Sequence, residues 1–129
     1  MNGSFFIADD FGLDEATNLA IMRAHREGAL HGASLMLGQP GTAQAVALAR
    51  QHPTLHIGWH LHLCDSLPVT RVAWPWGASP GRAGLAIGLL PGARALMRAE
   101  VRAQWRQFTA TSLACEFVNA HHHLHAHPA

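Results

Sequence analysis

Lysine and tyrosine are absent from this 129-residue chain, and charged residues make up only 13% of it. All nine basic residues are arginine, set against eight carboxylates, for a net charge of +1. That balance gives no positive field and excludes a nucleic-acid-binding surface. Two cysteines, Cys64 and Cys115, are too few for a disulfide framework, and neither stands in a C-x-x-C pair. The N-terminus lacks a basic segment and meets Asp9 and Asp10 early, unlike a secretory signal. The longest uncharged run, between Glu27 and Arg50, is broken by His31, Gly32, Gln39, Pro40 and Gly41, so no membrane span is expected. Together these absences predict a cytoplasmic protein with reduced thiols. Apolar residues, at 49%, exclude a disordered chain and predict one domain over residues 1–129. What the chain has in excess is histidine, eleven in all.

Alternation of apolar runs and helical patterns sets the fold class. Ser4 to Ala8 is an unbroken apolar run, as expected of a strand covered on both faces, and it stops at Asp9-Asp10-Phe11-Gly12. Asp14 to Glu27 reads as a helix, capped by Asp14 and closed by Gly28, with Leu19 and Met22 on one face. Ser34 to Leu37 is a second strand, Thr42 to Gln51 a second helix and Leu55 to Leu63 a third strand. Residues 65–82 form a loop rich in Pro, Gly and Trp. The apolar stretch Gly84 to Leu90 reads as a buried helix rather than a membrane contact. Arg94 to Ala110 is a helix with Met97, Val101, Trp105 and Phe108 along one side, and Glu116 to Ala120 is a fourth strand. This order predicts an α/β protein with a parallel sheet.

In such folds the carboxyl ends of the strands face the active site. Asp9 and Asp10 end the first strand; adjacent carboxylates point different ways, so one suits a metal and the other a proton. His60 and His62 are two apart on the third strand and share a face. His52 and His56 have no such placement and read as surface residues. After the fourth strand, His121, His123, His125 and His127 recur with period two and would line one face of an extended segment. Taken singly, each signal has an ordinary explanation: a turn with a helix cap, a hydrogen-bonded strand histidine, a polar tail. Their shared location at one edge of one sheet favours a metal centre. Two imidazoles and a carboxylate suit Zn²⁺ or another divalent ion. A phosphoacceptor receiver domain has similar length and alternation. It needs an aspartate where His60 stands and a lysine later, and this chain has neither.

Several segments resemble the YdjC-like carbohydrate deacetylases, which include the chitooligosaccharide deacetylases. They are Ala8-Asp9-Asp10-Phe11-Gly12-Leu13, Asn18-Leu19-Ala20-Ile21, Ala33-Ser34-Leu35-Met36, Gly58-Trp59-His60-Leu61 and Asn119-Ala120-His121-His122-His123-Leu124-His125. The closing Asn-Ala-His pattern, with Arg102-Ala103-Gln104 before it, is most similar to the hopanoid-biosynthesis-associated branch; other branches tend to have Asp at the place of Asn119. The likeness is poor over residues 65–81. It implies a (β/α) barrel of the glycoside hydrolase/deacetylase type and a divalent-metal amidohydrolase. By position, Asp10, His60 and His121 match the family's metal ligands and Asp9 its catalytic base. His123 and His125 match further family histidines, expected beside the substrate or behind the metal ligands. The implied metal is Mg²⁺, with Zn²⁺ equally suited to the ligand types. The implied substrate is an N-acetylated amino sugar, free or carried on a hopanoid glycolipid.

A full (β/α)₈ barrel takes about 250 residues. Four strands therefore predict about half a barrel, the N-terminal part, without the general acid expected from the other half. An open sheet edge predicts instability alone or pairing with another chain, a homo-oligomer included. The competing expectation is a metal-binding fragment that is catalytically incomplete.

Overall fold

The computed structural model describes residues 4–126 and 128. Four strands, β1 (Ile7–Phe11), β2 (Gly32–Leu35), β3 (His56–Leu61) and β4 (Val118–Ala120), pair in parallel in that order. Helices α1 (Glu15–Arg26) and α2 (Thr42–Gln51) supply the first two crossovers. The third is longer: irregular residues 65–79, then α3 (Pro80–Leu89) and α4 (Pro91–Ala110) end to end. Four parallel strands with helices on one face make half of a (β/α) barrel.

Asp14 caps α1 by accepting the Thr17 N–H at 2.7 Å, and Gly28 follows the helix at φ 78°. On the helix face of the sheet, Ala8, Ala33, Leu35, Ile57 and Trp59 pack with Ile21, Met22, Ala45, Ala49 and Phe108. Leu19 does not join them. It is 55% exposed, because α1 turns Asn18, Ile21 and Met22 inward instead. Asn18 is wholly buried and fully used: it accepts from the Gly12 N–H at 2.7 Å and donates to the Gly41 carbonyl at 2.9 Å and to Gln44 Oε1 at 2.8 Å. One carboxamide thus ties the β1–α1 turn to the start of α2.

Four expectations change. The run before Asp9 is not covered on both faces: Phe5, Phe6 and Ile7 are 52%, 58% and 40% exposed. β1 is an edge strand, and only its helix face has a layer against it. The strand also runs further than Ala8, so that both aspartates lie within it. The core side of α4 is Ala93, Glu100, Gln104 and Phe108, while Trp105 stays 43% exposed against Trp59. Glu100 accepts the Val69 and Thr70 N–H groups, the Thr70 hydroxyl and Gln104, which fastens the irregular segment to the helix. α3 begins at Pro80, inside the expected loop, and is buried on one side only: Ala83 and Ile87 are covered, Leu85 and Leu89 are not.

Gly12 carries a tight turn after β1. Its φ is 101°, and a Cβ there would lie 2.7 Å from the Met36 carbonyl oxygen. Gly12→Ala is expected to cost about 2–4 kcal/mol in urea unfolding, from the left-handed backbone and the clash together. Gly28, at φ 78° with open space around it, separates the two effects: Gly28→Ala should lose only about 1–2 kcal/mol.

Candidate active site

The face of the sheet turned away from the helices carries Asp9, Ser34, Gly58, His60, Phe117 and Asn119. Glycine is required at 58 because the Phe117 ring lies over it; a Cβ would sit 2.2 Å from that ring. Between Ala8 and Phe11 the β1–β2 register slips, and Asp10 takes φ 63°. The slip matters for chemistry. In a regular strand, neighbouring side chains point to opposite faces. Here Asp9 and Asp10 both reach His60, one towards each ring nitrogen: Asp10 Oδ1 is 3.1 Å from Nε2, and Asp9 Oδ1 is 3.9 Å from Nδ1. The two carboxylates converge on one imidazole, contrary to the expectation from adjacency.

His121 completes the group. Its Nδ1 is 2.9 Å from Asp10 Oδ1 and 3.4 Å from His60 Nε2. Asp10, His60 and His121 thus present three ligand atoms to one point, two of them imidazole nitrogens and one a carboxylate oxygen. The donor set fits a divalent cation of borderline softness, three protein ligands with room for water. His60 is 1% exposed, His121 15% and Asp10 32%, so the site opens on the Asp10 side. Hydrogen bonds from His121 and then His60 hold the Asp10 carboxyl well below the usual carboxylate range, against its burial. The same bond from Asp10 raises the His121 imidazole above its ordinary value. A cation entering here must displace that proton, so affinity falls as pH falls.

Asp9 is set apart from this trio. Its Oδ1 accepts from Ser34 Oγ at 3.0 Å and from Asn119 Nδ2 at 2.6 Å, and its side chain is 55% exposed. It stands beside the cation position, fixed at one oxygen and open to solvent.

His62 does not share the strand with His60, because β3 ends at Leu61, and it is spent structurally. Its Nε2 bonds the Leu37 carbonyl at 2.9 Å and its Nδ1 the Ser66 hydroxyl at 2.9 Å. Burial lowers its pKa to about 4, so it is neutral at physiological pH. His56 is exposed, paired with Glu116. Burial likewise pushes the Cys64 thiol up to about 11, which leaves it protonated and inert.

The tail does not run as an extended segment. After Ala120 the chain turns into a 3-10 segment, His121–Ala126, kinked at His122 and His123 (φ 55° and 56°). Period two is therefore lost. His121 alone enters the trio; His123 and His125 are exposed, their rings 6.2 Å apart. His127 lies outside the described residues. His123 borders an apolar groove of about 760 Å³ lined with Leu85, Leu89 and Leu124. His122 instead meets Asp65, Nε2 to Oδ2, at 3.2 Å.

Ser34, Asn119, Asp65 and His122 had no assigned role in the sequence. A register argument finds Asn119: β4 sets it opposite His60, and it precedes His121 by two. Nothing in the sequence alone points to Asp65, which reaches His122 from an irregular loop.

Asp10, His60 and His121, with a second aspartate beside them at the strand ends of half a (β/α) barrel, form a group that could hold a metal ion. The chain belongs to the YdjC-like protein family, whose model matches residues 5–129. It is 40% identical over 123 residues to a carbohydrate deacetylase of Brevibacillus brevis, covering 95% of this chain and 50% of that protein. It is 33% identical over 127 residues to a carbohydrate deacetylase of Vibrio campbellii, again covering 95% and 50%. The chain therefore spans about half the length of the curated relatives it matches. A crystal structure from Enterococcus faecalis, described as a cellobiose-phosphate cleavage protein, superposes with a TM-score of 0.70. It is 23% identical and covers 94% of this chain and 49% of that one. That likeness supports the half-barrel fold. No helix among the described residues is long and apolar enough to cross a membrane.

Proposed function

We propose that residues 1–129 form the metal-holding, N-terminal half of a carbohydrate N-deacetylase domain, which releases acetate from an N-acetylated amino sugar. The convergence of Asp10, His60 and His121 beside a separately held Asp9 carries this reading. Membership of a family with relatives named carbohydrate deacetylase supports the substrate class.

Amide hydrolysis needs a stronger nucleophile than water and a stabilised oxyanion. A divalent cation held by Asp10, His60 and His121 supplies Lewis acidity and a water of lowered pKa. Asp9 accepts the proton of the attacking water; its position beside the trio and its open side suit a general base. The water oxygen bonds the acetyl carbon, the C–N bond breaks, and the nitrogen leaves as the free amine with a proton from the general acid expected in the other half of the domain. Two imidazoles favour Zn²⁺ by softness, and the family resemblance favours Mg²⁺. The apolar groove from His123 to Leu89 suits an apolar aglycone, which supports the hopanoid glycolipid as the substrate form.

The test is metal content and acetate release on one sample, stripped and reloaded with Mg²⁺ or Zn²⁺. N-acetylglucosamine oligomers and a long-chain alkyl N-acetylglucosaminide are the substrates. One bound ion per chain with turnover is expected, with lower KM for the alkyl glycoside. Metal without turnover would replace this reading with that of a catalytically incomplete metal-binding half. Neither metal nor turnover would remove the site.

A further inference from the structure

We propose that Asn119 is a positioning residue whose single carboxamide keeps a hydrogen on His60 Nδ1 and, at the same time, orients the Asp9 carboxylate. Each contact forces the next. Asn119 Nδ2 lies 2.6 Å from Asp9 Oδ1, and a carboxylate oxygen only accepts, so the amide nitrogen faces Asp9. The amide oxygen is then the atom 2.7 Å from His60 Nδ1. An amide oxygen also only accepts, so Nδ1 carries the hydrogen.

Ser34 leads to the same answer by another route. Its hydroxyl has one hydrogen, and Asp9 Oδ1 at 3.0 Å and the Ala8 carbonyl at 3.3 Å both compete for it. A lone pair of Ser34 is left for His60 Nδ1 at 3.2 Å. Two acceptors thus address one ring nitrogen, inside a site where His60 is 1% exposed and water cannot substitute. The other nitrogen, Nε2, faces Asp10 Oδ1 at 3.1 Å and His121 Nδ1 at 3.4 Å, so the Asp10 carboxylate competes for the ring hydrogen from that side.

The sheet makes this possible. Parallel pairing of β3 with β4 sets Asn119 against His60. The slip in β1 brings Asp9 within reach of the same carboxamide. A carboxamide at 119 does both jobs. Aspartate at 119 would still accept from Nδ1 but would set a second carboxylate against Asp9. Alanine would do neither, leaving Ser34 as the remaining acceptor for Nδ1 and shifting the ring hydrogen towards Nε2 and Asp10 Oδ1. The hydrogen position is a property of this chain alone. Its consequence for a cation rests on the reading of His60 as a ligand.

Long-range ¹H–¹⁵N NMR of the His60 ring, in metal-free protein at about pH 9, reads the hydrogen directly above the ordinary imidazole range. Wild type should show a hydrogen-bonded Nδ1–H. Asn119→Asp and Ser34→Ala should keep it, and Asn119→Ala should bring up an Nε2–H form. A bare Nδ1 in wild type, or an Asn119→Ala spectrum identical to wild type, would overturn the proposal. If Asn119→Ala does not fold, wild type and Asn119→Asp still decide it. Zn²⁺ titration of the same samples should show a roughly 10–100-fold weaker Kd for Asn119→Ala. An altered hydrogen position with unaltered Kd would uphold the role of Asn119 and remove His60 from the ligand set.

Discussion

Asp9→Asn is expected to lower acetate release by roughly 10²–10⁴-fold while leaving metal content unchanged. The loss follows from basicity: an amide accepts a hydrogen bond but not the proton of the attacking water. The fold should tolerate the change, because an amide oxygen at position 9 still accepts from Ser34 and Asn119. Asp10→Asn should behave differently. It removes the only carboxylate of the trio, the anionic oxygen that faces both His60 and His121, so metal and turnover should disappear together. Metal analysis beside an acetate assay separates the two. If Asp9→Asn loses the metal and Asp10→Asn keeps it, the roles of the two aspartates are exchanged. If Asp9→Asn keeps full turnover, no general base acts from position 9.

The difference between those aspartates was only half visible in the sequence. Placing both at the end of the first strand follows from the apolar run before them. Their convergence does not, because it depends on a one-residue slip and a positive φ at Asp10, neither of which a Phe-Phe-Ile-Ala-Asp-Asp run reveals. His60 was legible because a strand of period two fixes its face. His121 was legible for a partly mistaken reason. Two-residue spacing continues correctly from Asn119 to His121, then fails where the chain kinks into the 3-10 segment. Burial was the least legible property. Phe5, Phe6 and Ile7 look like core by composition but lie at or just before the start of an edge strand, and Glu100 and Gln104 look like surface but are wholly buried. In both cases the partner lies far along the chain: Glu100 is buried because the Val69 and Thr70 amides need an acceptor.

Acid should unfold the metal-free protein in a window set by His62, costing roughly 3 kcal/mol between pH 6.5 and about 4. His62 is wholly buried, and burial is the main cause of its lowered pKa. The unfolded chain takes up a proton on this ring near pH 6.5, whereas the folded chain resists until about pH 4. Between those values the unfolded state binds more protons, so stability falls as pH falls. Below about pH 4 both states are protonated and this group adds no further slope. The Asp10–His121 pair acts elsewhere. The lowered Asp10 value gives stability that is lost only below the ordinary carboxylate value of 3.8, and the raised His121 value gives stability that is lost only above the ordinary imidazole value of 6.5. Urea unfolding at intervals through this range isolates His62, and His62→Gln should flatten the window while leaving the slopes outside it. A wild-type slope that persists undiminished in His62→Gln would place the acid-sensitive group elsewhere. The contrast explains how two histidines, one on β3 and one just past its end, are used in opposite ways. His60 leaves Nε2 to the site, while His62, two residues on, has both nitrogens bonded to Leu37 and Ser66 and holds the third strand's end to the loop that follows it.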